Sequence, residues 1–141
     1  MNILEAARET RPALLSVSRC PSILYVDDHE LLLEEVRSLL QAKGWVCQCA
    51  KGGADALRLL TSGVDPADIL MTDHSMPGMN GLELVRNLRA RKFPGKILVY
   101  STLLLSIERA AYEELNVDAI VSKISGPDVL INAIQELQRR G

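Results

Sequence analysis

The chain has 141 residues, 48% apolar, 24% charged and 4% aromatic, with a net charge of -2. That is the usage of one globular domain with an aliphatic core, and it lacks the basic stripe that neutralises phosphates, which argues against direct nucleic-acid binding. No apolar stretch reaches bilayer-spanning length, and the start, MNILEAARETRP, has no basic segment leading into a long apolar run, so neither a membrane span nor a signal peptide is expected and a cytoplasmic setting is.

Residues 1–21 read as an N-terminal extension or linker: residues 2–9 suit a short helix, but Pro12 interrupts it, and Ser16, Ser18 and Pro21 are linker-like. From Ser22 a regular alternation begins. SILYV (22–26) is a strand-length apolar run ending in Asp27-Asp28. HELLLEEVRSLLQAKG (29–44) places Leu32, Leu33, Val36, Leu39 and Leu40 at helical spacing, with Gly44 as a stop. VCQCA (46–50) alternates like an edge or half-buried strand, with Cys47 and Cys49 on one face. With Cys20 these make three cysteines, read as small apolar residues in a reducing compartment rather than a disulfide or metal pair.

GADALRLLTSG (53–63) predicts a short helix closed by Gly63. ADILMTD (67–73) is the third strand and GLELVRNLRARK (81–92) the third helix. Pro94-Gly95 turns the chain into KILVYS (96–101), the fourth strand. SIERAAYEEL (106–115) is a helix, followed by Asn116 where a left-handed cap is needed. DAIVS (118–122) is the fifth strand, and GPDVLINAIQELQRR (126–140) the last helix, with Pro127 suited to its first turn. Five continuous apolar strands alternating with five helices predict a doubly wound α/β fold, a parallel sheet covered on both faces.

In such folds sites lie at the carboxyl ends of the strands, near a topological switch point. Those ends supply Asp27-Asp28, Asp73, Ser101-Thr102 and Ser122-Lys123. Each has a bland explanation taken alone: an acid caps a helix, a lysine is a solvated charge, a serine is a polar strand terminus. Capping accounts for one acid per helix start, but not for a second adjacent acid or a cation on the opposite rim. Two carboxylates about 4 Å apart repel by roughly 4 kcal/mol at an effective dielectric near 20, so three together need a cation or raised pKa values. All-oxygen ligation with few protein ligands suits Mg²⁺. A carboxylate held near Mg²⁺ and Lys is placed to attack a phosphoryl group, giving an aspartyl-phosphate. His29 and His74 adjoin the acids, but no second His or Cys lies at ligand spacing. They read as solvated loop or helix-start residues rather than transition-metal ligands, and Met76 and Met79 as loop packing.

The segment from about Ser22 to Arg139 resembles the receiver domain of two-component response regulators, the chemotaxis-regulator fold. The resemblance rests on ILYVDDHE, ILMTDHSMPGMNGLEL, VYST and the lysine of IVSK. It implies a flavodoxin-like sheet of strand order 2-1-3-4-5 over residues 22–141. It makes Asp73 the phosphoacceptor, Asp27, Asp28, Asp73 and the Ser75 carbonyl the Mg²⁺ ligands, Lys123 the phosphoryl partner and Ser101 the hydroxyl that moves to meet it. Ser75 and Thr102 match positions that tune hydrolysis. The implied donor is a phosphohistidine on a histidine kinase or phosphotransfer protein. The implied output is a protein target or homodimer through the fourth helix, fifth strand and fifth helix, in a signalling domain rather than a turnover enzyme.

Two positions depart from that pattern. Ile120 stands where many receivers carry a switching aromatic, and Tyr100 should point away from the Ser101 face. Ile124 replaces a proline that is often cis, and a cis bond there would cost about 2.5–4 kcal/mol, so the loop is expected to run differently. A haloacid-dehalogenase-type phosphatase needs an acid two residues after its nucleophile, and Asp73 is followed by His74-Ser75, so that reading fails. A receiver module of a longer hybrid kinase or regulator, and a pseudo-receiver binding scaffold, stand as alternatives.

Overall fold

Strands form where the apolar runs do. In the computed structural model, which describes residues 20–62 and 67–140, these are β1 (Ser22–Val26), β2 (Val46–Ala50), β3 (Ile69–Thr72), β4 (Lys96–Ser101) and β5 (Ala119–Ser122). They alternate with α1 (Glu30–Ala42), α2 (Gly53–Thr61), α3 (Gly81–Ala90), α4 (Ser106–Glu114) and α5 (Pro127–Arg140). The expected extension (1–21, save its last two residues) and the Gly63 helix stop lie outside the described residues.

All four strand pairings are parallel and the order is β2-β1-β3-β4-β5. Successive side chains on a strand face opposite sides, and the core divides accordingly. Ile23, Tyr25, Ile69, Met71, Leu98 and Tyr100 pack against α1 and α5, through Leu33, Val36, Leu40, Leu130, Ile134 and Leu137. Leu24, Val26, Leu70, Ile97 and Val99 pack against α2, α3 and α4, through Ala56, Leu57, Leu84, Val85, Leu88 and Tyr112. Each fully buried leucine or isoleucine contributes about 1.5–3 kcal/mol, so both faces of the sheet are strongly specified. Cys47 and Cys49 do share a face, and both are free thiols against the α1 side.

Local chemistry sets the ends of the helices. His29 is the N-cap of α1, its Nδ1 accepting from the Leu32 N–H at 3.3 Å. Asn80 and Glu83 form a reciprocal capping box at the start of α3. Gly44 and Asn116 take left-handed φ values of 81° and 56°, as their positions after α1 and α4 require. α3 ends two residues earlier than its pattern suggests, because Lys92 itself adopts a left-handed φ of 57°.

One glycine ties this frame to the third strand end. A Cβ at Gly81 would lie 2.3 Å from the Asp73 carbonyl oxygen, 2.6 Å from the Tyr112 hydroxyl and 3.0 Å from His74 Cα. The first turn of α3 therefore sits directly on the backbone that carries Asp73. We expect Gly81→Ala to destabilise the protein by about 3 kcal/mol or more, because backbone must move to relieve the clash. Gly52→Ala, at a cap position with nothing within 4 Å of the new Cβ, should cost about 1 kcal/mol or less. Urea unfolding of the two variants checks the contrast, and equal costs would contradict it.

Candidate functional site

The sheet places the site residues one step beyond their strands. The Asp27 N–H donates to the Ala50 carbonyl at 3.0 Å, the Asp73 N–H to Val26 at 2.9 Å and the Lys123 N–H to Ser101 at 2.9 Å. Each bond continues the parallel ladder by one residue, so these side chains are mounted on sheet rather than on free loop. β1 and β3 are neighbours, but the chain leaves β1 for the edge strand β2 before returning to β3. The order thus reverses at β1, where crossover connections diverge and leave a crevice.

In that crevice carboxylate oxygens of Asp27, Asp28 and Asp73 all lie within 4.8 Å of one another. Asp27 is fully buried. Its Oδ2 accepts from the Tyr25 hydroxyl and from Lys123 Nζ, both at 2.7 Å, and its Oδ1 accepts from the His29 N–H at 3.0 Å. Lys123 Nζ is also 3.2 Å from Asp73 Oδ1, which accepts from the His74 N–H at 2.8 Å. Asp28 is the exposed member of the group, at the mouth. The open cleft above has a volume of about 380 Å³ and is lined by these acids, Lys123, Thr102 and, from the α1 side, His29, Leu31, Leu32 and Glu35. Ser101 is buried at the end of β4 and Ser75 is exposed in the loop after Asp73.

Burial raises the Asp73 carboxyl above the usual carboxylate range, and the neighbouring charge of Asp27 pushes the same way; Lys123 and the His74 N–H oppose them. Burial, then donation to Asp27, raises the Tyr25 hydroxyl, which stays a neutral donor. One ammonium against three carboxylates leaves the cluster net negative. All its donors are oxygen, with Asp28 open to solvent, and that set suits a hard divalent cation that retains water. The residues present therefore fit Mg²⁺, and among the described residues no other cluster of His, Cys, Asp or Glu offers three ligands.

Comparison with known proteins shows the family that carries this arrangement. Residues 23–135 match the model of the response regulator receiver domain. The chain belongs to that family. This receiver is 30% identical over 117 residues to the nitrate/nitrite response regulator protein NarL of Escherichia coli, covering 82% of this chain and 53% of NarL. It is 31% identical over 108 residues to the sensor histidine kinase RcsC of Salmonella typhimurium, covering 77% of this chain and 11% of that protein. The chain thus spans about half the length of NarL and a small part of RcsC. Among solved structures, the response regulator TrrA of Thermotoga maritima in complex with Mg²⁺ and BeF superposes with a TM-score of 0.73 at 30% identity, over 83% of this chain and 98% of that one.

Sequence reasoning located the acids and the lysine of this receiver but misread one neighbour. His74, expected as a solvated loop residue, is buried at 7% exposure. Its Nδ1 lies 2.6 Å from the Tyr112 hydroxyl and its Nε2 2.8 Å from Glu108 Oε2. Strand alternation turns His74 away from Asp73 and toward α4, where Glu108 and Tyr112 share a face at i,i+4 spacing. That spacing was visible in the sequence; which strand end it meets was not. Tyr25 was missed as a donor to Asp27, although the two are spaced to share a face. Tyr100 does point away from the Ser101 side, packing edge-on to Tyr25 at 6.0 Å between ring centroids. Ile120 packs in the α2–α4 core, while Ile124 is exposed and joined by a trans peptide. Met76 is buried and Met79 packs against the same core, as loop packing requires.

The Asp73 shift has a measurable consequence for folding. An acid whose folded pKa is raised holds its proton more tightly folded than unfolded. Its stabilising contribution is complete below the unfolded value and is lost as pH rises through the folded one. In metal-free buffer Asp73→Asn should therefore melt above the wild type at neutral pH, and the gap should close as pH falls through the acidic range. A gap in Tm that stays constant from about pH 7 to about pH 3 would contradict the assignment.

Proposed function

We propose that this receiver takes a phosphoryl group from a phosphohistidine onto Asp73 and signals by protein contact. The observation that carries the reading is the pairing of a buried Asp73 with Lys123, which Asp27 holds from its other side at 2.7 Å. An Asp73 carboxylate oxygen attacks phosphorus, the N–P bond of the phosphoimidazole breaks, and its electron pair leaves on the imidazole nitrogen. Asp27 keeps the ammonium aimed into the cleft, and Lys123 meets the charge that builds on the phosphoryl oxygens. Asp27, Asp28, Asp73 and the Ser75 carbonyl are the residues to hold Mg²⁺. When bound, that ion neutralises the excess negative charge of the cluster and of the incoming phosphoryl group. The Ser101 hydroxyl closes on the phosphorylated aspartate, and Ser75 and Thr102 set water's access during hydrolysis. That the similar TrrA structure is a complex with Mg²⁺ and BeF supports the reading of a Mg²⁺-dependent site.

The donor is a histidine kinase or a histidine phosphotransfer protein in the cytoplasm; no described helix is long and apolar enough to cross a membrane. Output runs through the face of α4, β5 and α5 to a protein target or a second copy. The net charge of -2 favours protein over nucleic acid as the direct partner. The domain is modified once per signalling cycle and is not a turnover enzyme. The likeness to RcsC favours a second reading of context, with the same chemistry in a module of a hybrid kinase.

Intact mass after incubation with Mg²⁺ and acetyl phosphate or phosphoramidate tests the proposal. A gain of one phosphoryl group that needs Mg²⁺ and vanishes in Asp73→Asn is expected. No gain with either donor, and no beryllofluoride complex, would make the chain a pseudo-receiver scaffold instead.

A further inference from the structure

His74 is a buried titratable residue, next in sequence to Asp73, that the phosphoryl chemistry leaves unused. Its contacts run in two directions. Toward the site, its N–H donates to Asp73 Oδ1 at 2.8 Å, the oxygen that also faces Lys123 at 3.2 Å. Away from the site, Nδ1 meets the Tyr112 hydroxyl at 2.6 Å and Nε2 meets Glu108 Oε2 at 2.8 Å. The other Glu108 oxygen, Oε1, accepts from the Leu105 N–H at 2.8 Å and so fastens the first turn of α4. With Nε2 protonated, every bond has its donor: the Tyr112 hydroxyl to Nδ1, Nε2–H to Glu108, and the Leu105 N–H to Glu108. The His74 carbonyl is fixed as well, accepting from the Gly81 N–H at 2.8 Å.

We infer that His74 is a positioning residue that carries the phosphorylation state of Asp73 to the first turn of α4, through Tyr112 and Glu108. The inference rests on the phosphoacceptor reading above and adds its route of transmission. An ionised carboxylate is a strong acceptor for the His74 N–H. Phosphorylation turns Asp73 into an acyl phosphate, whose remaining carbonyl oxygen accepts weakly, and draws Lys123 toward the new charge. The 73–74 peptide then loses its charge-assisted bond. The imidazole, held at both nitrogens by α4, moves with that peptide and passes the displacement on. At the receiving end Leu105 and Ile107 stand 61% and 77% exposed, so a shift of this turn re-presents an apolar surface. Ile120, in the place of the familiar switching aromatic, has no polar atom on its side chain with which to serve this route.

NMR of the full chain, with ¹⁵N-labelled histidine and backbone amides, tests it before and after excess phosphoramidate and Mg²⁺. Intact mass is read on the same samples. In the wild type the His74 ring nitrogens and the Leu105 to Glu108 amides should shift on phosphorylation. Tyr112→Phe, which removes one hydroxyl, and Glu108→Gln, which leaves one amide oxygen for two donors, should phosphorylate to the wild-type extent. In both, the α4 amide displacement should fall to less than half. Full displacement in both variants, or unmoved His74 nitrogens in fully phosphorylated wild type, would overturn the relay. Absence of any mass gain in the wild type would overturn the phosphoacceptor reading and the relay with it.

Discussion

Three carboxylates crowded within 4.8 Å at the carboxyl ends of two central strands of a parallel sheet form an arrangement that repels itself, and the rest of the molecule accommodates that repulsion. Lys123 is the internal answer, with its ammonium shared between Asp27 and Asp73. Tyr25 and the His29 N–H add two more donors to Asp27. Together they keep one carboxylate fully buried and hydrogen-bonded, as buried charges require. Asp73 is left less compensated and Asp28 is left in solvent. The imbalance is what suits the site to a hard cation, because such an ion relieves negative charge that the protein alone does not neutralise.

The two faces of the sheet meet this cluster differently. On the α1/α5 side Tyr25 rises from the core to fix Asp27, with Tyr100 packed edge-on behind it. On the α2–α4 side Tyr112 rises from the core to hold His74, the residue next to Asp73. Each layer thus delivers one buried hydroxyl toward the strand ends. The first steadies the lysine's anchor; the second ties the end of the strand that leads into Asp73 to a helix that carries exposed apolar residues. Burial holds both tyrosines above their usual pKa, so both remain neutral donors. Gly81 makes the second arrangement sterically feasible, since any side chain there would strike the Asp73 carbonyl and the Tyr112 hydroxyl together.

Much of this was legible in the residue pattern. Strand runs such as SILYV and KILVYS coincide with β1 and β4 residue for residue, because continuous aliphatic runs of that length have few other uses. The acids and Lys123 were legible because a parallel sheet brings all strand ends to one rim. What escaped was information held in tertiary packing. His74 looks like a polar loop residue until α4 is folded over it, and Tyr25 looks like an ordinary core aromatic until its hydroxyl is seen to reach Asp27. The end of α3 was overestimated for a local reason, since nothing in a lysine announces the left-handed backbone that Lys92 adopts.

The central claim is that Asp73, and not one of the other two acids, receives the phosphoryl group. Reduction of the phosphorylated protein with borohydride, which converts an acyl phosphate of aspartate to homoserine, followed by peptide sequencing in a mass spectrometer, addresses it most directly. Homoserine at position 73 alone, formed only when Mg²⁺ was present, is the result this account predicts. Homoserine at position 27 or 28, or a phosphoryl gain that leaves no homoserine at all, would contradict it.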